Sequence, residues 1–293
     1  MRWILLALPT VLLLGLILAV SQREALPEKE TDVKVSDDLP PPNLTQKSKG
    51  DKSRSKNSRT KNHAALVAGE FDPIAFLEKC LDRYDRKVKG YSLIMDKQES
   101  INGKLQKPEE IQVYFRERPY SVYMQWLKGA RKAERALYVE GENDGMMLAR
   151  PYGYFARKVA GDIVVRDPKG AEAKQSGRYP ISEFGLKKGT QRTLAGWIKA
   201  RERKALHVEY LGVHRVKELG DRECYKLHRY NYDRPEGDGV IDLTVYIDKE
   251  TLLQVGSILK GEDGKLIGRY FFRDIHLNPE FKKEQFTRKA LVP

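Results

Sequence analysis

From Val240 to Phe286 the hydrophobic and polar positions alternate in three runs. Ile241, Leu243, Val245 and Ile247 share one parity, and Asp242, Thr244, Tyr246 and Asp248 the other. That period of two belongs to a strand with one buried face. The tetrad Asp248-Lys249-Glu250-Thr251 interrupts it with turn chemistry, since Asp248 can bond the backbone two residues on. A second strand is predicted over about 252–259. The Gly261–Lys265 run turns the chain again, because its glycines tolerate positive φ. A third strand, about 266–277, carries Tyr270, Phe271 and Phe272, and Asn278-Pro279 stops it.

Upstream the period changes. Ile74, Leu77, Leu81, Tyr84 and Val88 recur at three and four, the stripe of a helix. Asp72 is placed to cap it, Pro73 occupies its first position, and Gly90 ends it. Alternation returns over 91–101, before the hairpin signal Asn102-Gly103, and over 110–118, with Ile111, Val113 and Phe115 on one face. Pro119 breaks the pattern, after which Tyr120, Val122, Met124 and Trp126 share a face. A hairpin over 135–150, a short strand over 163–165 and a loop to Gly177 follow. The segment 179–205 reads as mostly helical, with Leu194, Trp197, Ile198 and Arg201 on one side. Two more strands, 208–216 and 223–232, flank the Gly220-Asp221 turn.

The N-terminal part has a different composition. Residues 1–21 carry Arg2 and then an apolar run, Trp3 to Val20, broken at Pro9 and Thr10. About 18 apolar residues is the borderline for a membrane span, and a cleaved signal peptide has the same flank. The segment is therefore a signal peptide or an anchor in the inner membrane, and either exports the rest. Residues 22–68 form a linker, acidic and proline-rich first, then basic and almost free of apolar side chains, with too little to bury for ordering. Its basic half is a solvated spacer or a tether for anionic surfaces. It contributes to a formal charge of +13 on 293 residues. Export removes nucleic acid from consideration. Residues 69–293 are left for one β-rich domain.

Two stretches carry a resemblance. YIDKETLLQV followed by GRYFFRDIHLNPEFKKEQF, and FRERPYSVYMQW followed by ALYVEGENDGMML, resemble the strand–turn and Arg-Pro patterns of the LolA-like superfamily. That superfamily includes the lipoprotein carrier LolA, its acceptor LolB and the sensing domain of RseB. The chain is most similar to a bacterial envelope domain of unknown function placed beside them. The arginine that follows the Arg-Pro break in carriers has no counterpart at Val122 or Tyr123. The resemblance implies an α+β fold, a curved antiparallel half-barrel with helices over its concave face. It also implies a binding role in the periplasm or cell envelope, with a lipid or lipoprotein acyl chain between sheet and helices. The candidate walls are Phe115, Val122, Met124, Trp126, Leu194, Trp197, Ile198 and Phe271; side chains of this kind are more often plain core than ligand wall. The alternative is an RseB-like sensor acting through an envelope protein partner.

No phosphate loop, HExxH or nucleophile elbow occurs, so no catalytic residues are assigned and no enzyme is expected. His63, His207, His214, His228 and His276 lack ligand spacing, and the acidic turn at 140–144 lacks the oxygen pattern of a calcium loop. No metal or cofactor is expected. Cys80 and Cys224 are the two cysteines. Export permits a disulfide between them; two separate thiols are the alternative, since Cys224 shares parity with Lys226 and His228 rather than with Tyr225.

Overall fold

The computed structural model describes residues 71–237 and 239–292. The expected signal or anchor at 1–21 and the linker at 22–68 lie outside them. Among the described residues no helix is long and apolar enough to cross a membrane.

The first helix, α1, runs Pro73–Lys87. Asp72 caps it, its carboxylate accepting from the Ile74 and Ala75 amides at 2.9 and 3.2 Å. Twelve strands follow: β1 (Gly90–Ile101), β2 (Lys104–Leu105), β3 (Glu109–Arg116), β4 (Ser121–Lys128), β5 (Ala133–Val139), β6 (Met147–Pro151), β7 (Val164–Arg166), β8 (His207–Val216), β9 (Arg222–Tyr230), β10 (Asp242–Asp248), β11 (Gln254–Lys260) and β12 (Leu266–Leu277). All pair antiparallel in one open sheet, ordered β7-β6-β5-β4-β3-β1-β12-β11-β10-β9-β8, with β2 paired to β1 alone. Strands close in sequence make every neighbour pair but one. The exception, β1 against β12, joins the two halves over a long sequence separation. The fold is the expected α+β architecture, an open antiparallel sheet with helices.

Asn278 holds that central pair in place. Its backbone is left-handed (φ 51°). Its side-chain oxygen accepts from the Lys89 and Gly90 amides at 2.7 and 3.3 Å, while its amide donates to the Lys87 carbonyl at 2.9 Å. One side chain thus closes α1, starts β1 and ends β12.

Between the strands lie α2 (Tyr154–Ala160), α3 (Ala171–Lys174) and α4 (Leu186–Glu202). Helix α4 is shorter than the sequence pattern implied, because Gly185 at φ +134° and the turn at 181–183 precede it. The loop expected from the 163–165 strand to Gly177 contains α3, and α2 lies before that strand, where the sequence pattern assigned no element. On α1, Leu81 is only half-buried, and Phe76 and Cys80 extend the buried stripe.

Alternation assigns the two faces of the sheet. Odd positions of β1 and β3 and even positions of β4 point to the inside, where α1 and α4 cover them. On the outside, the C-terminal segment packs Phe286 and Leu291 against Tyr123, Leu137 and Leu148. The disulfide considered between Cys80 and Cys224 is not formed: both thiols are free and buried. Cys80 sits among the α1 residues that pack on Tyr225, and Cys224 faces the other side of β9. One-residue parity puts the sheet between them.

Candidate functional site

The register of the inner face decides where sheet and helix meet. One row runs Tyr91, Phe115, Val122 and Tyr138 across β1, β3, β4 and β5. This row is packed shut. Tyr91 and Phe115 stack with centroids 4.7 Å apart, the Leu186 amide donates to the Tyr91 hydroxyl, and the Tyr120 hydroxyl donates to the Phe184 carbonyl at 2.6 Å. Burial holds the Tyr91 phenol well above its ordinary value.

The next row holds Leu93, Val113, Met124, Ala136 and Ala149. Its β4–β6 end is lined by methionine and alanine, and α4 presents Gly189, Ala195 and Gly196 opposite. Small side chains on both walls cannot meet, so the layers part. They enclose a cavity of about 580 Å³ that reaches from Met147 and Ala149 on β6 to Arg229 on β9.

A buried charged network forms one wall of this cavity. Lys97 ion-pairs with Glu99 at 3.1 Å and Glu109 at 3.2 Å, and Arg131 reaches Glu109 at 2.8 Å. Tyr270 donates its hydroxyl to Glu99 at 2.7 Å, and the Trp126 indole donates to Glu109 at 3.2 Å. Burial alone would push the Lys97 ammonium down; Glu99 and Glu109 more than offset that and hold it above the ordinary lysine value. Two cations and two carboxylates neutralise one another, and every member has a partner.

At the β9 end residues 231–237 and 239–241 fold over the cavity, closed by mutual amide–carbonyl bonds between Glu236 and Val240. Arg229, only 1 % exposed, donates from both terminal nitrogens to Glu236 at 2.6 and 2.7 Å and lies 3.8 Å over the Tyr232 ring. Arg203, at the end of α4, ties the same loop through Asp233 at 2.8 Å and Glu236 at 3.3 Å. Gly196 permits this closure: a Cβ there would stand 2.7 Å from Glu236 Oε2.

The side chains singled out from the sequence scatter over this arrangement. Met124, Trp126 and Trp197 line the cavity. Phe115 and Val122 lie in the packed row. Leu194 and Ile198 are half-buried against the cluster of α1 and β9. Phe271 lies on the opposite face of β12, against Gly256 and Tyr246, while Phe272 and Tyr270 face inward. Met95, Lys97 and Glu99 were missed, although their parity with Tyr91 and Leu93 was visible. A charged pair on the buried parity of a strand was the available signal for the network.

Among the described residues no three His, Cys, Asp or Glu side chains converge as a metal ion would need. His228 meets Asp242 at 2.8 Å on the outer face. Leu243, the neighbour of Asp242, lines the cavity on the inner face.

No curated protein sequence matches the chain. Among solved structures, MucB in the Pseudomonas aeruginosa MucA/MucB complex is 16% identical, with 74% of this chain and 61% of that chain covered and a TM-score of 0.42. This chain thus spans under two thirds of the MucB chain. The Mycobacterium tuberculosis lipoprotein LppX is 11% identical, with coverage of 72% and 99% and a TM-score of 0.40. A LolA superfamily protein from Nitrosomonas europaea is 7% identical, with coverage of 73% and 98% and a TM-score of 0.30. The open antiparallel sheet with helices expected from the sequence is the fold found. In sequence, residues 88–290 match the family described as "Protein of unknown function (DUF1571)", and the chain belongs to that family.

Proposed function

We propose that this chain is a non-enzymatic binding protein of the cell envelope whose cavity takes a lipid or lipoprotein acyl chain. The observation that carries this reading is the separation of sheet and helix over the methionine–alanine row. A cavity of about 580 Å³ there falls within the range of roughly 300–1,000 Å³ typical of ligand sites. Met95, Met124 and Met147 supply flexible apolar surface that adapts to a chain of variable shape. Of the residues expected from the sequence, Met124, Trp126 and Trp197 are the proposed contacts; Phe115 and Val122 support them from the closed row. The test is mass spectrometry of an organic extract of the purified full chain, with titration by cis-parinaric acid, a fluorescent fatty acid. Co-purifying acyl species and saturable binding are expected. The absence of both acyl species and saturable fluorescence would remove the reading.

A second reading, an envelope sensor working through a protein partner, draws on a different feature. Tyr152, Tyr154, Phe155 and Val159, on and beside α2, are all exposed, Phe155 at 83 % and Val159 at 90 %. Clustered exposed apolar side chains mark contact surfaces. Phe155→Asp with Val159→Asp should abolish capture of such a partner while leaving parinaric acid binding intact; unchanged capture would remove this reading.

A further inference from the structure

The cavity has two polar regions, and they differ in one respect. The Lys97–Glu99–Glu109–Arg131 network is neutral and internally satisfied. It needs nothing from a ligand. The face of α4 that looks into the cavity is not balanced in this way. Arg192, Lys199 and Arg203 follow one another at spacings of seven and four, which stacks them on one side of the helix. Ala195 and Gly196 lie between them on the cavity lining. Over the whole lining, eight cationic side chains stand against three carboxylates, and those carboxylates are already taken. Glu99 and Glu109 belong to the neutral network, and Glu236 is held by Arg229 and Arg203. Arg192 donates to the Glu183 carbonyl and lies over the Tyr179 ring at 4.2 Å; among the described residues no carboxylate pairs with it or with Lys199.

An apolar trough beside an unneutralised cationic stripe is complementary to one class of molecule. We infer that the ligand is an anionic amphiphile, whose carboxylate or phosphate head lies along Arg192 and Lys199 on α4 and whose acyl chain runs toward Met124 and Met147. This rests on the acyl-binding reading and specifies its head group. A charged oxygen at the stripe would accept charge-assisted bonds from guanidinium and ammonium donors, which are stronger than bonds between neutral groups. A neutral head would leave the excess charge facing itself.

The experiment compares matched probes on the full chain. cis-Parinaric acid is set against its neutral alcohol, and a fluorescent phosphatidic acid against the corresponding diacylglycerol. The acid of at least one pair is expected to bind about tenfold or more tightly than its neutral partner; which pair shows it separates a carboxylate from a phosphate head. Arg192→Gln with Lys199→Gln should remove most of that preference and leave the neutral probes unchanged. Lys188→Gln, an exposed lysine of the same helix outside the cavity lining, should change neither. Equal affinity for charged and neutral probes overturns the head-group assignment and leaves the acyl reading intact. So does an effect of Lys188→Gln as large as that of the double variant, since general surface charge would then be responsible. No binding of any probe overturns both. Arg192 and Lys199 are exposed, so loss of the fold does not stand in the way.

Discussion

Glu236→Ala is the perturbation whose cost the structure defines most closely. Arg229 is 1 % exposed, and Glu236 is the carboxylate that meets it, through two short bonds of 2.6 and 2.7 Å. Removing the carboxylate leaves a guanidinium buried without a counter-charge. Breaking a buried pair from one side costs about 3–5 kcal/mol, far more than the pair is worth against apolar replacements. The Tyr232 face at 3.8 Å remains and offsets part of the loss. For a domain of this size each kcal/mol moves Tm by roughly 2–4 °C, so a fall of about 6–20 °C is expected. Arg229→Met combined with Glu236→Ala should recover most of it, because no buried charge is then stranded. Urea unfolding of the full chain, with the slope m held constant, measures both. A loss below about 1 kcal/mol for the single variant, or a double variant as unstable as the single one, would refute the account of the loop as closed by a buried ion pair.

Asn278→Ala removes two acceptor contacts and one donor contact that join α1, β1 and β12, and should destabilise by about 2–3 kcal/mol in the same assay. Asp233 is held down to about 2 by its hydrogen bonds to Arg203, below the ordinary value of 3.8. A depressed carboxylate contributes stability above its unfolded pKa that is lost as pH falls through the folded one, so Asp233→Asn should flatten the stability profile between about pH 4 and 2, with its deficit against the unaltered chain present at neutral pH and vanishing near pH 2. Burial pushes the Cys80 and Cys224 thiols up to about 12, so neither should react with iodoacetamide in the native chain at pH 8, and both should react in urea. A native adduct on either, found by peptide mass spectrometry, would contradict that.

Local chemistry alone was enough for much of the fold. The inward parities of β3, β4 and β10 follow from alternation, because a period of two leaves one choice of face once burial is required. Asp72, Pro73, the left-handed Asn102-Gly103 turn and Asp248, which accepts from the Thr251 amide and hydroxyl, are likewise short-range consequences of residue type. Other features depend on which distant residues meet. Phe271 and Phe272 are adjacent and equally apolar, and only the register of β12 on β1, Met95 against Phe272, turns one inward and the other out. Lys97 and Glu99 look like solvated strand positions until Glu109, Arg131 and Tyr270 arrive from other strands to neutralise them. The cavity itself belongs to no single element. It exists because alanines on β5 and β6 face glycines and an alanine on α4, and the distance between two such walls is set by the packed Tyr91–Phe115 row beside them rather than by any pattern along the chain.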